Sequence, residues 1–154
     1  MTHPKLDYLP YGRQQITEED IASVVSVLKS DFLTQGPIIP KFEKKISNIL
    51  NVDFALAVTN ATSALHLACL ALDLKKGDIV WTSPNTFVAS ANCARYCGAD
   101  IDFVDIDINT GLMDMNELSK KLKIANLKNK LPKIIIPVHF AGSSCDMKAL
   151  YKLS

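Results

Sequence analysis

The sequence predicts an α/β fold in which a mainly parallel sheet is flanked by helices. Four short apolar runs, each of strand length, recur after residue 53. Helical stretches lie between these runs, and Gly, Asn or Asp residues mark several of the turns. Strands that alternate with helices favour parallel pairing with right-handed crossovers. A chain of 154 residues, 48% of them hydrophobic, is also long enough to bury a core of ordinary size.

Composition excludes several classes of protein. The formal net charge is +1 and the basic residues are dispersed, whereas a nucleic-acid-binding surface usually carries a basic stripe. No apolar run approaches the roughly 20 residues that span a bilayer. The N-terminal residues contain no apolar segment of the kind found in secretory signals. We therefore expect a soluble cytoplasmic protein with neither nucleic acid nor membrane as a partner.

Two amphipathic helices are predicted before residue 53. Residues 17–20 (TEED) place a hydroxyl before three acids, which is typical of a helix start. Apolar residues then recur at helical spacing up to about Ser30, namely Ile21, Val24, Val25 and Leu28. A loop at residues 31–37 (DFLTQGP) ends in a Gly-Pro pair. Pro40 suits the first position of a second helix, which we expect to end near Leu50.

Strands and helices are expected to alternate from residue 53 onward. The predicted strands are residues 54–58, 79–82, 101–104 and 133–138. The predicted helices are residues 61–72, 86–97 and 116–122, with a further helix from residue 146. Gly98 is placed to terminate the second of these helices, and the Asn- and Lys-rich residues 125–130 are interpreted as a surface loop.

Ligands of an open α/β sheet bind beyond the carboxyl ends of the strands, so the loops at those ends are the candidate site. These loops are residues 59–63, 83–87, 105–111 and 139–145. The first opens a helix, whose free amides and the Thr62 and Ser63 hydroxyls could hold a phosphate. An ordinary helix cap explains the same residues, and local sequence favours the cap.

The other three loops each offer a weaker candidate. Phe87 could present a flat face to a ligand ring, although a Phe at a helix start more often packs in the core. Asp105 and Asp107 could bind a metal or transfer protons, but turn formation is the simpler interpretation. His139 follows a strand and is weak evidence by itself.

The four cysteines form no C-x-x-C pair, which argues against a redox or zinc motif of that type. Cys93 and Cys97 are four residues apart and could share a helix face with zinc between them. We favour buried free thiols and predict no metal site.

Six segments, taken together and in this order, resemble a known family. They are residues 11–13 (YGR), 30–37 (SDFLTQGP), 60–66 (NATSALH), 83–92 (SPNTFVASAN), 103–107 (FVDID) and 136–142 (IPVHFAG). They are similar to the N-terminal part of the DegT/DnrJ/EryC1/StrS sugar aminotransferases, which are fold-type I pyridoxal-phosphate enzymes. The subgroup they most resemble acts in pseudaminic acid biosynthesis.

The resemblance implies a fold and specific residue roles. Residues 53–154 would be the N-terminal half of the fold-type I large domain, and residues 1–52 would supply helices and a substrate loop. Thr62 and Ser63 match the positions that hold the phosphate of pyridoxal 5'-phosphate, and Phe87 matches the one stacked on its ring. The positions that line the sugar-nucleotide pocket are Tyr11, Asp31, Phe32, Leu33, Thr34 and Ala61.

The resemblance also implies a reaction. Glutamate would donate an amino group, and a UDP-4-keto-6-deoxy-N-acetylhexosamine would accept it in a homodimeric enzyme. In the family the lysine that forms a Schiff base with the cofactor, and the small domain, come later in the chain. We therefore expect that lysine beyond Ser154, no catalytic residue within the 154 residues, and an N-terminal fragment that is inactive alone.

Three alternatives remain. The chain could be a non-catalytic α/β binding module, or an aminotransferase that acts on a different keto sugar nucleotide. It could also belong to a nucleotide-binding enzyme that uses residues 60–63 for another phosphate.

Overall fold

A computed structural model of the chain describes residues 12–154. The helices and strands, in chain order, are α1 Glu18–Leu28, α2 Ile38–Leu50, α3 Ala61–Ala71, β1 Ile79–Thr82, α4 Ala89–Tyr96, β2 Asp100–Phe103, α5 Met115–Leu127, β3 Ile134–Ile136 and α6 Met147–Leu153. The chain divides into two compact units. The first ends at Ala57, and the second is Val58–Ser154.

The first unit contributes α1 and α2. Thr17 caps α1 as predicted: its Oγ1 accepts from the Asp20 N–H at 3.2 Å, and Asp20 Oδ2 accepts from the Thr17 N–H at 2.8 Å. Helix α2 begins at Ile38, so Pro40 occupies its third position instead of the expected first. Proline is tolerated there because the first-turn amides have no acceptor within the helix.

The second unit is built on a parallel sheet, as predicted. Among the described residues it has three strands in the order β2-β1-β3. Val80 lies opposite Ile101 on one side and Ile134 on the other. The Thr82 hydroxyl adds a side-chain link, because its Oγ1 donates to the Ile136 carbonyl at 2.9 Å.

Successive residues of β1 point to opposite faces of the sheet, and each face has its own core. Val80 packs on the side of α3 and α4, in a cluster completed by Cys69, Leu74, Cys93, Ala94 and Ala99. Trp81 packs on the other side, with Val104, Met113, Leu118, Ala125 and Cys145. The second unit therefore has three layers, with the sheet between two sets of helices.

The strand predicted at residues 54–58 is absent: these residues form neither helix nor strand. Phe54 and Leu56 are 86% and 84% exposed. A strand needs a neighbour to pair its amides and carbonyls, and no described strand pairs with this segment. The Ala57 amide donates instead to Glu43 Oε1 at 2.8 Å.

Two other element boundaries differ from the predictions. Helix α5 continues to Leu127, into the expected loop at 125–130, because Ala125 packs into the core below the sheet. It ends where Asn129 adopts a left-handed conformation, with φ of 52°. Helix α4 begins only at Ala89, which leaves residues 84–88 as a loop after β1. Gly98, with φ of 76°, follows the end of α4 as predicted.

Candidate functional site

The four loops identified from the sequence all belong to the second unit. The loops after β1, β2 and β3 lie at one edge of the sheet, because parallel strands end at the same edge. Two contacts confirm that these loops meet. Asn85 Nδ2 donates to the Gly111 carbonyl at 3.4 Å. A Cβ added to Gly111 would lie 3.1 Å from Cδ1 of Phe140, so the loop after β3 packs on the loop after β2.

The N-terminus of α3 is capped by Asn60. Its Oδ1 accepts from the Ser63 amide at 2.8 Å, and the Ser63 hydroxyl lies 3.2 Å from Thr59 Oγ1. The cap interpretation is confirmed for Asn60, and it does not use the Thr62 side chain. The amides of Ala61 and Thr62 begin the helix and have no acceptor within it. Half-buried Thr62 and Ser63 thus stand at the positive end of an 11-residue helix, which suits an anion.

Phe87 lies just before α4 and its side chain is 75% exposed. The core-packing interpretation of this residue is therefore wrong. The loop that carries it is held by its other side chains: Thr86 Oγ1 lies 2.8 Å from Ser90 Oγ, and Asn85 reaches Gly111. A flat aromatic surface is thus exposed on an anchored loop, which an aromatic ligand ring could cover.

Ser83 is a polar residue that the sequence did not single out. It follows Thr82 at the carboxyl end of the central strand, and it is 1% exposed. Its Oγ has no hydrogen-bond partner among the described residues. The sequence contains no signal for a buried, unpaired hydroxyl at this position, because the burial of a serine depends on tertiary packing.

The acidic loop after β2 forms turns, as predicted. Asp107 Oδ1 accepts from the Asn109 and Thr110 amides at 2.7 and 3.2 Å, and Asp105 Oδ1 accepts from the Ile106 amide at 2.8 Å. Among the described residues, His, Cys, Asp and Glu side chains form no group of three or more that could hold a metal ion.

His139 is oriented by the loop that follows β3. The Cys145 amide donates to His139 Nδ1 at 3.1 Å, so a neutral imidazole carries its proton on Nε2. The Cys145 thiol donates to the Val138 carbonyl at 3.2 Å. Cys145 thus links the end of this loop to its beginning, at Val138 and His139. Its position in the sequence did not indicate this role.

The thiol prediction is confirmed for three cysteines: Cys69, Cys93 and Cys145 are buried, and Cys97 is half-buried. Cys69 on α3 and Cys93 on α4 share one core cluster. Burial, followed by the neighbouring Cys93 and Cys97, raises the pKa of Cys69 to about 12. These two cysteines pack α3, which carries Thr62 and Ser63, against α4, which follows Phe87.

The predicted substrate residues are divided between the units. Ala61 is the first residue of α3, beside Thr62. The other described ones are in the first unit, where Phe32 and Leu33 are 62% and 65% exposed in the loop between α1 and α2. Asp31 and Thr34 belong to that loop and are exposed as well. Tyr11 lies outside the described residues.

Within residues 12–154, no helix has both the length and the apolar character that crossing a bilayer requires.

Comparisons with known proteins agree with this arrangement. Over 147 residues the chain is 35% identical to the UDP-4-amino-4-deoxy-L-arabinose--oxoglutarate aminotransferase of Shewanella sediminis, covering 96% of this chain and 36% of that protein. It superposes on PseC of Helicobacter pylori, an aminotransferase involved in the biosynthesis of pseudoaminic acid, with a TM-score of 0.83 and 33% identity. That match covers 94% of this chain and 38% of PseC.

A third similar protein is the putative sugar aminotransferase Spr1654 of Streptococcus pneumoniae in its PLP form. Its TM-score is 0.81 at 30% identity, over 94% of this chain and 36% of Spr1654. The chain thus spans somewhat more than a third of the length of each of these proteins. The family model for the DegT/DnrJ/EryC1/StrS aminotransferases matches residues 14–154. The chain therefore belongs to the DegT/DnrJ/EryC1/StrS aminotransferase family.

Proposed function

We propose that the whole protein uses pyridoxal 5'-phosphate to transfer the amino group of glutamate to C4 of a UDP-4-keto-6-deoxy-N-acetylhexosamine. The product would enter the biosynthesis of pseudaminic acid or a related amino sugar. The observation that carries the proposal is the exposed Phe87 ring, held in the same unit as the hydroxyl-rich N-terminus of α3. One feature suits the ring of the cofactor and the other suits its phosphate.

The residues of this site fit the cofactor. The Ala61 and Thr62 amides and the Thr62 and Ser63 hydroxyls would hold the phosphate at the positive end of α3. Phe87 would cover one face of the ring and exclude water from it. When bound, pyridoxal phosphate supplies the electron sink that transamination requires. Spr1654, with which this chain superposes, has been seen in a PLP form.

The sugar nucleotide and its donor are proposed on chemical grounds. The names of the two aminotransferases from Shewanella sediminis and Helicobacter pylori refer to a UDP-amino sugar with oxoglutarate and to pseudoaminic acid. Glutamate is the amino donor whose keto acid is 2-oxoglutarate. We assign the sugar-nucleotide contacts to the following residues: Tyr11, Asp31, Phe32, Leu33, Thr34 and Ala61.

We propose further that the whole protein is a cytoplasmic homodimer. The exposed apolar side chains of α1 support a dimer, since Val24 and Leu28 are 60% and 64% exposed and the helix buries no residue. The four free thiols support a reducing compartment.

The direct test is to supply the whole protein with pyridoxal phosphate, glutamate and the UDP-4-keto sugar. We expect 2-oxoglutarate and the UDP-4-amino sugar in equal amounts, measured by mass spectrometry. A Thr62→Ala/Phe87→Ala double variant should lose cofactor affinity, whereas a Tyr151→Ala control, which alters an 83% exposed ring on α6, should retain it. If the protein binds the cofactor tightly but acts only on another keto sugar, the proposed substrate is wrong and the proposed cofactor stands. Failure to bind the cofactor at all would refute the proposal.

A further inference from the structure

The loop after β3 is closed by two hydrogen bonds from one residue. The Cys145 amide donates to Nδ1 of His139 at 3.1 Å, and the Cys145 thiol donates to the Val138 carbonyl at 3.2 Å. Phe140, which lies inside the closed loop, packs against Gly111 of the loop after β2. One of the two closing bonds therefore depends on an imidazole, in a loop that contacts the rest of the candidate site.

The bond to His139 can exist only while its imidazole is neutral. Nδ1 accepts the Cys145 amide through a lone pair, and protonation of the ring turns both of its nitrogens into donors. The protonated ring would then direct one N–H group at another. Cys145 is 3% exposed, whereas His139 is exposed, so water reaches the imidazole more readily than the amide. A buried amide without an acceptor destabilises the conformation that buries it.

The charged groups near this loop are engaged elsewhere or lie in solvent. Among residues 12–154, no carboxylate forms a salt bridge with His139. The charged residues of the adjoining segments are Asp105 and Asp107, which accept amides of the loop after β2, Asp146, which caps α6, Lys121, which pairs with Asp102, and Lys148 and Lys152 of α6, which are exposed. No carboxylate of the described residues is thus paired with the protonated imidazole to offset the lost bond.

From this geometry we infer that His139 is an acid-sensitive latch on the loop after β3. The neutral imidazole holds the Cys145 amide, and protonation releases it. The loop therefore loosens as the pH falls through the range in which histidine side chains ordinarily change charge, about pH 8 to 5. The thiol bond from Cys145 to Val138 does not involve the imidazole, so the release is local and does not unfold the chain. The inference concerns this chain alone and is independent of the proposed function.

The test is amide hydrogen exchange of the 154-residue chain at about pH 8 and about pH 5. Peptides that cover residues 138–146 are followed by mass spectrometry, and each rate is divided by the intrinsic rate at the same pH. The protection of the Cys145 amide should be about 10-fold lower at the acidic pH, which is the change expected for one lost hydrogen bond.

Two substitutions of His139 separate the acceptor from the titration. His139→Asn places an amide oxygen at the position of Nδ1 and cannot be protonated in this range, so the Cys145 amide should be equally protected at both pH values. His139→Gln moves the oxygen one bond further along the side chain, so that amide should exchange rapidly at both.

The control removes the other histidine of the described residues. His66 lies on α3, with its ring edge-on to Tyr96 and the ring centroids 5.3 Å apart. His66→Phe keeps an aromatic ring there but cannot be protonated, and it should respond to acid as the wild type does.

Three results would overturn the inference. Equal protection of the Cys145 amide at both pH values in the wild type would show that the imidazole holds nothing. The wild-type response to acid in His139→Asn, or its loss in His66→Phe, would assign the response to another group. Full protection in His139→Gln would show that the amide has a different acceptor.

Discussion

Phe87 is the residue on which the ring-binding part of the account depends. Most large apolar side chains stabilise a fold by burial, but this ring is 75% exposed on a loop held by Asn85 and Thr86. Exposure of an aromatic ring on an anchored loop is expected where a ligand covers it.

Substitution of Phe87 separates ring contact from stability. Phe87→Ala should weaken pyridoxal phosphate binding about 10-fold, because aromatic stacking contributes about 0.5–1.5 kcal/mol beyond the loss of apolar contact. Phe87→Trp should preserve the affinity. The melting temperature of the cofactor-free protein should change little in either variant, because the ring is not in the core. A large fall in that melting temperature would show that the ring is structural.

Cys69 gives the fold a dependence on alkaline pH. Its pKa is raised from 9.0 to about 12 by burial and by the neighbouring cysteines, so folding favours the protonated thiol. The stabilisation is complete below about pH 9 and is lost as the pH rises toward 12. The slope can reach about 1.4 kcal/mol per pH unit between these values.

The measurement is the free energy of unfolding in urea at a series of pH values from 8 to 11. We expect the wild type to lose stability more steeply above pH 9 than Cys69→Ala, which has no thiol to ionise. Parallel curves for the two proteins would contradict the raised pKa.

Among the elements, α3 joins a helix cap to a candidate anion site. Asn60 holds the Ser63 amide, while the Ala61 and Thr62 amides remain outside the helix hydrogen-bond pattern. The sequence predicted the helix and its start correctly because caps are local. It could not distinguish the cap from a phosphate site. The structure shows the Asn60 cap, and the phosphate site at the same end of the helix is our proposal.

Two substitutions of Asn60 separate these roles. Asn60→Ala should destabilise the protein by about 1 kcal/mol through loss of the cap. Asn60→Asp should keep the cap and stability but weaken pyridoxal phosphate binding, because its negative charge would stand beside the phosphate. Asn60→Ser, an uncharged cap, is the control for affinity. Equal affinity for Asn60→Asp and Asn60→Ser would place the phosphate elsewhere.

The loops after β1, β2 and β3 meet at Gly111. Gly111 has φ of +70°, and a Cβ there would approach Phe140 to 3.1 Å. Gly77 also has a positive φ, of +96°, but its Cβ would meet nothing within 4 Å. An alanine would therefore be strained by the positive φ at both positions, but its Cβ would be crowded by a neighbouring side chain only at Gly111.

Alanine at each glycine isolates the effect of loop packing. Gly77→Ala should cost about 1–2 kcal/mol from the left-handed backbone alone. Gly111→Ala should cost more and should also weaken cofactor binding, because it pushes the loop of Phe140 away from the loop of Asn85. Chemical denaturation and cofactor titration measure the two effects. Equal losses of stability, with unchanged affinity, would show that the loops do not depend on each other.

The predictability of the elements follows from the range of the interactions that form them. The hydroxyl N-cap of α1 and the end of α4 at Gly98 were predicted correctly because they depend on residues a few positions apart. The strand at 54–58 was not, because a strand depends on a distant partner and none of the described strands pairs with it. Helix α5 was predicted too short because the burial of Ala125 depends on packing against the sheet.

At the scale of the whole molecule, burial is uneven between the two units. In the first unit α1 buries no residue and α2 buries only Ser47, whereas β1 and α4 are largely buried in the second. Isolated helices of this length are marginal in water, so α1 and α2 depend on whatever covers their apolar faces.

Hydrogen exchange of the 154-residue chain should reveal this difference. We expect amides of α1 and α2 to exchange rapidly and those of β1 and α4 to be the most protected, since local opening is easiest where little apolar surface is buried. Mass spectrometry of peptides from each unit measures the rates. Equal protection of α1 and α4 would show that the apolar faces of the first unit are covered.

The central claim is that the N-terminus of α3 holds the phosphate of pyridoxal phosphate. The most direct measurement is a comparison of pyridoxal phosphate with pyridoxal, which lacks the phosphate, as ligands of the wild type and of Thr62→Ala/Ser63→Ala. The account predicts that the double variant weakens binding of pyridoxal phosphate at least 10-fold and leaves the affinity for pyridoxal unchanged. An equal loss for both ligands, or none for pyridoxal phosphate, would contradict it.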